Sequence, residues 1–224
     1  MVKGFHIPSK AIAPHNTSGV LTDGAELSQA KAAMIMIHGR GASAESILEL
    51  SHSFQFDDVS FIAPPASGFT WYPFSFLSPV ERNEPGISSG LQRITEIVDY
   101  VGSKGISPQK IMLLGFSQGA CLALEWTARN ARNISAVFGL SGGLIGHEVT
   151  PGNYQGSLEN TTVFLGCSDV DIHIPKERVL ESRDVFTTMN AAVTMRTYPN
   201  LPHTVNQDEI DFIISHIERV VTKF

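Results

Sequence analysis

The chain has 224 residues, 42% of them apolar and 17% charged, with a net charge of −6. It is long for one small domain and short for two, so a single domain, 1–224, with a sizeable core is expected. The composition excludes a disordered chain, and the acidic balance argues against a nucleic-acid binder, which needs a basic face.

Residues 1–31 mix prolines, glycines and scattered apolar residues and read as short edge strands or a hairpin. The start, MVKGFHIPSKAIAPHN, has no apolar core of signal-peptide length. AAMIMI, Ala32 to Ile37, is the longest apolar run and far too short to span a bilayer, so no stable membrane insertion is expected. Followed by HGRGAS, it reads as a strand buried on both faces. AESILELSH then predicts a short helix with Ser43 as its N-cap. VSFIA, Val59 to Ala63, is the next buried strand, ended by PPASG.

Residues 64–86 are rich in proline, glycine and aromatics and read as a long loop. A loop of that length is usually functional or disordered, and its aromatic content argues against disorder. SSGLQRITEIVDYVGSKG predicts an amphipathic helix with Leu91, Ile94, Val98 and Val101 on one face, ended by Gly102 or Gly105.

KIMLLGF, Lys110 to Phe116, is a third buried strand, and SQGACLALEWTARN a largely apolar helix. ISAVFGLSGG and TTVFLGCSDVD are the next two strands, the second ending in a polar loop. KERVLESRDVFTTMN is a helix, AVTMRTYP a strand, and NQDEIDFIISHIERVVTKF the last helix. There Ile210, Ile213, Ile214, Ile217, Val221 and Phe224 share a face, and Asn206 with Glu209 forms a capping box. This alternation predicts an α/β fold, a mostly parallel central sheet with helices on both faces. Cys121 and Cys167 lie in or beside apolar segments without metal-site spacing. They read as reduced, buried thiols of a cytoplasmic protein.

In such a sheet ligands bind at the carboxyl ends of the strands. Those loops hold a GFSQG turn, an Asp loop and a histidine, in the order Ser, Asp, His used by the α/β-hydrolase fold. A serine hydroxyl needs a base to take its proton. A histidine can do so near neutrality, and a carboxylate orients the imidazole. Side chains at Gly115 and Gly119 would collide with the neighbouring helix and strands. The start of the helix aims its free N–H groups at a developing oxyanion. GxSxG alone is a weak pattern; with these companion loops it is much stronger.

The stretches IHGRGAS, GISPQKIMLLGFSQGA, LSGGL, SDVDIHIP and LPHTV resemble, in order, the phospholipase/carboxylesterase family of α/β-hydrolases. That family includes acyl-protein thioesterases and small bacterial carboxylesterases. HGRGAS with GFTWYPFSF is similar to a bacterial branch found beside ring-cleaving dioxygenases in hydroquinone-resistance operons. The resemblance implies Ser117 as nucleophile, His203 as general base and Asp171 as the acid. Asp169, two residues earlier, is the rival; the spacing to Pro175 favours Asp171. Cys167, Ser168 and Ile172 depart from the family's pattern in this loop. The resemblance also implies an oxyanion hole from the backbone N–H groups of Arg40 and Gln118. An arginine side chain at position 40 that faced the pocket would attract anionic substrates.

Trp71 and Tyr72 are expected to wall an acyl or aromatic pocket; Phe74 and Phe76 either join them or cap the core. His38 is expected to shape the oxyanion loop. His173 lies at the entrance or is a solvated loop residue. There is no HExxH-type spacing and no phosphate-binding glycine loop, so neither metal nor cofactor is expected. The expected function is a serine carboxylesterase for small to medium ester or thioester substrates, on a chain too short for a large lid. The alternatives are an acyl-protein thioesterase or lysophospholipase, a hydrolase of aromatic ring-fission products, and a binding protein without turnover. Dimers are common in the family, and no single stretch marks an interface.

Overall fold

The run AAMIMI forms β3 (Ala32–Ile37), and all six residues are buried. Its alternate residues face opposite ways. Ala33, Ile35 and Ile37 join one apolar cluster, while Ala32, Met34 and Met36 join another. A strand covered on both faces has no polar side to alternate with, hence the unbroken apolar run. β4 (Val59–Ala63), β5 (Ile111–Phe116) and β6 (Ala136–Leu140) are buried in the same way, apart from the half-buried Phe116, with Ser60 as the polar side chain among them.

The computed structural model describes residues 2–222. The remaining strands are β1 (Lys3–His6), β2 (Gly19–Gly24), β7 (Thr162–Ser168) and β8 (Ala192–Tyr198). One sheet contains all eight, in the order β1-β2-β4-β3-β5-β6-β7-β8. β1 pairs antiparallel with β2 and β2 with β4, so the first stretch is a hairpin at one edge. From β4 to β8 every pairing is parallel. The carboxyl ends of β3 to β8 therefore share one rim of the sheet.

The helices are α1 (Ala44–Leu48), α2 (Gly86–Ser103), α3 (Gln118–Asn130), α4 (Lys176–Thr188) and α5 (Gln207–Thr222). α2, α3 and α4 cover one face through residues such as Ile94, Leu122 and Val179. α1 and α5 cover the other through Ile47, Leu48, Ile213 and Ile217. Among the described residues no helix is long and apolar enough to cross a membrane.

Local details depart from the pattern-based reading for physical reasons. α1 is short and passes into a 3-10 turn at Glu49–Ser53; Ser43 caps it reciprocally with the Ser46 side chain. α2 starts at Gly86, where a methyl group would lie 2.5 Å from the Trp71 carbonyl oxygen. It ends before Gly105, which supplies the positive φ of 92°. On α5 the buried apolar residues are Ile210, Ile213, Ile217 and Val220, while Ile214 and Val221 are partly buried. Phe224, expected on this face, lies outside the described residues. Cys121 and Cys167 are free and buried.

Candidate active site

β5 ends at Phe116 and α3 begins at Gln118, leaving Ser117 alone on the bend with φ 55° and ψ −120°. A non-glycine residue in that region is strained by roughly 1–3 kcal/mol and persists only where its surroundings hold it. Here the Ser117 N–H donates to the Leu140 carbonyl (2.9 Å), and the Cys121 N–H donates to the Ser117 carbonyl (3.0 Å). The flanking glycines are sterically required. A methyl group on Gly119 would lie 2.1 Å from the Ile37 carbonyl oxygen, and one on Gly115 would lie 2.3 Å from the Gly119 carbonyl oxygen.

The loop after β8 brings His203 to this bend. Its Nε2 is 2.9 Å from Ser117 Oγ, and its Nδ1 is 2.6 Å from Asp171 Oδ2. An ionised carboxylate only accepts, so Nδ1 carries the proton and Nε2 is left to accept the serine O–H. The Asp171 side chain is fully buried. Its Oδ1 accepts from the backbone N–H groups of His173 (2.8 Å) and Ile174 (3.2 Å). Burial pushes the carboxyl pKa up, but the hydrogen bonds from His203 and those two amides outweigh it and hold it below the usual value. The His203 ring lies between Phe116 and His173, with ring centroids 4.9 and 5.0 Å away.

Asp169 does a different job. It is exposed, and its Oδ1 accepts from the Asn200 N–H at 2.8 Å, tying the loop after β7 to the loop that carries His203.

The turn after β3 places Gly39 against the bend, where a methyl group would lie 3.4 Å from Ser117 Cβ. The backbone N–H groups of Arg40 and Gln118 have no hydrogen-bond partner among the described residues. His38 is buried. Its Nε2 accepts from the Ala66 N–H (3.2 Å), so Nδ1 carries the proton and donates to the Gly39 carbonyl (2.8 Å). Burial lowers its pKa, which keeps it neutral and structural, as expected.

A cavity of about 400 Å³ opens over Ser117, lined by Arg40, Tyr72, Pro73, Phe74, Ser75, Phe76, Gln118, Cys121, His173, Ile174 and His203. Tyr72, Phe74 and Phe76 are thus lining residues. The expectation for Trp71 needs correcting, because it is fully buried and does not line the cavity. Its indole N–H donates to the His38 carbonyl at 2.9 Å, and its ring packs on His15 and His38. An indole whose N–H must be satisfied indoors supports the turn after β3 from behind. Cys121, also in the lining, is fully buried, and burial pushes its thiol pKa up to about 12.

The sequence reading took Gln118 for its backbone alone. Its side chain also clamps the aromatic loop: Oε1 accepts from the Trp71 N–H (2.8 Å), and Nε2 donates to the Tyr72 carbonyl (2.8 Å). The Arg40 guanidinium does the same further out, donating to the carbonyls of Pro73 (2.8 Å) and Phe74 (2.6 Å). No sequence signal marks either clamp, because a side-chain contact to a distant backbone has no local pattern. Among the described residues no group of three or more His, Cys, Asp or Glu is placed to hold a metal.

A serine on a strained strand-to-helix bend, hydrogen-bonded to a carboxylate-oriented histidine at the carboxyl rim of a parallel sheet, defines an α/β-hydrolase. The chain belongs to the phospholipase/carboxylesterase family, whose model matches residues 25–221. It is a serine hydrolase acting on carboxylic ester bonds. Among solved structures, a phospholipase/carboxylesterase from Dyadobacter fermentans is 41% identical with a TM-score of 0.86, covering 89% of this chain and 95% of that one. Acyl-protein thioesterase 1 from Aspergillus fumigatus is 26% identical over 85% of this chain and 88% of its own length. Lysophospholipase-like protein 1 from Mus musculus is 24% identical, over 83% and 85%.

Proposed function

We propose that Ser117, His203 and Asp171 form the catalytic triad of a carboxylesterase for small to medium ester or thioester substrates. The observation that carries this reading is the bridging imidazole, 2.9 Å from Ser117 Oγ and 2.6 Å from the buried Asp171 carboxylate. The Ser117 Oγ attacks the carbonyl carbon while His203 Nε2 takes its proton. The negative charge that builds on the carbonyl oxygen is met by the N–H groups of Arg40 and Gln118, which have no other partner among the described residues. The imidazolium, held by Asp171, returns the proton to the leaving alcohol or thiol. His203 then activates a water that releases the acid from the acyl-enzyme. Tyr72 bounds the acyl pocket.

The reading includes one catalytic domain working in the cytoplasm, in keeping with its two buried, unpaired thiols. A second reading, cleavage of long or protein-bound acyl groups, is favoured by exposed apolar residues: Phe74 in the cavity lining, and Val170 and Ile172 on either side of Asp171 in the chain, the last 89% exposed. Hydrolysis of p-nitrophenyl esters from acetate to palmitate separates the two. Turnover peaking at short or medium chains and absent in Ser117→Ala supports the first; a long-chain peak supports the second. No turnover on any ester from folded protein would overturn both.

A further inference from the structure

The wall of the cavity does not share the charge of the chain. Acidic residues outnumber Lys and Arg by 22 to 16 overall, yet no Asp or Glu lines the cavity. Behind the lining, the Asp171 side chain is fully buried, with its oxygens engaged by His203 and by the amides of His173 and Ile174, and Glu125 is fully buried and engaged by Arg129 and the Ile145 N–H. The fully charged side chain in the lining is Arg40. Its two hydrogen-bond partners are backbone carbonyls, which fix the guanidinium in place but do not neutralise it. Further N–H groups of the same fork have no partner among the described residues. A second cation, Arg82, lies over the ring of the lining residue Phe74 at 4.4 Å. His173 adds an imidazole to the lining, and the start of α3, which Ser117 caps, adds its partial positive charge.

We propose that this site selects esters carrying a carboxylate elsewhere in the molecule, such as half-esters of dicarboxylic acids, with Arg40 as the residue that binds the anion. This rests on the esterase reading above and narrows its substrate class. A planar guanidinium pinned by two carbonyls loses little side-chain entropy when it grips a carboxylate. A cavity of about 400 Å³ suits a compact acyl group that brings its own charge back toward the mouth. The bland alternative makes Arg40 only a strap for the 73–74 segment, which the two carbonyl bonds would explain by themselves. A strap is indifferent to the charge of the substrate, and that is what the test reads.

Hydrolysis of monomethyl adipate is compared with that of methyl hexanoate, by acid release. The expected wild-type preference in kcat/KM for the charged ester is at least about tenfold, carried by KM. It should shrink as salt is raised from about 0.05 M to about 0.5 M, while the neutral ester is unaffected. Arg40→Met should bring the ratio to near one whatever it does to both rates, and Arg40→Lys should restore part of it. A wild-type ratio near one, or a preference that Arg40→Met leaves intact, would overturn the proposal while the esterase reading stands. If neither methyl ester is hydrolysed, the p-nitrophenyl series above decides the esterase reading, and calorimetric binding to the Ser117→Ala protein decides the proposal separately. Monomethyl adipate should bind more tightly than methyl hexanoate and lose that advantage with Arg40→Met; equal binding of the two would overturn it.

Discussion

Residue by residue, the division of labour between two neighbouring aspartates is the sharpest feature of the site. Asp171 faces the imidazole, while Asp169 faces a backbone amide. Replacing Asp171 by Asn keeps the shape but presents the wrong hydrogen-bonding partner to Nδ1, so kcat is expected to fall by about 10³–10⁴-fold. Replacing Asp169 by Asn keeps an oxygen for the Asn200 N–H, so its cost in kcat should stay under about tenfold. Steady-state rates of the two variants check this, and an equal loss in both would sink the assignment. Ser117, His203 and both aspartates were legible as strand-end loop residues because a bend with flanking glycines and turn-rich strand ends are local signals, and the structure brings those loops together. The place of Trp71 and the clamps made by the Arg40 and Gln118 side chains left no such signal because their partners lie between 33 and 56 residues away.

At the level of elements, the long 64–85 segment is knit together by buried polar side chains. Asn83 is fully buried. Its Oδ1 accepts from the Phe74 N–H (2.8 Å), and its Nδ2 donates to the Ser75 carbonyl (2.9 Å). Proline and aromatic content announced a functional loop without revealing these bonds. The start of α5 was more legible: the Asn206 and Glu209 side chains accept from each other's backbone N–H at 3.1 and 3.0 Å. What the motif hid is the burial of Glu209, packed so closely on β7 that a methyl group on Gly166 would lie 1.9 Å from Glu209 Oε1. Burial pushes its carboxyl up to about 7, although the Asn206 N–H pulls the other way. An acid whose pKa is raised by folding binds its proton more tightly when folded. Between its ordinary value of 4.5 and about 7, stability therefore falls as pH rises. Denaturant unfolding at pH 5 and pH 8 should show wild type losing up to about 3 kcal/mol more than Glu209→Gln over that interval. Parallel losses in the two proteins would contradict it.

For the molecule as a whole, alternating apolar runs and amphipathic helices were enough to reveal a parallel sheet with two covered faces. The strand order was not readable, since it depends on which distant runs pair. That order sets the proposed nucleophile and base on supports of unequal firmness. Ser117 follows β5, which is buried and held by β3 on one side and β6 on the other. His203 follows β8, an edge strand of half-exposed and exposed residues paired with β7. Edge strands with little buried surface open at lower free energy than the core they border. Warming should therefore release the base while the nucleophile is still in place. Fluorophosphonate labelling of Ser117 should fade several degrees below the loss of helical circular dichroism and return on cooling; coincident midpoints would argue against it. An enzyme built this way falls silent, reversibly, before it melts.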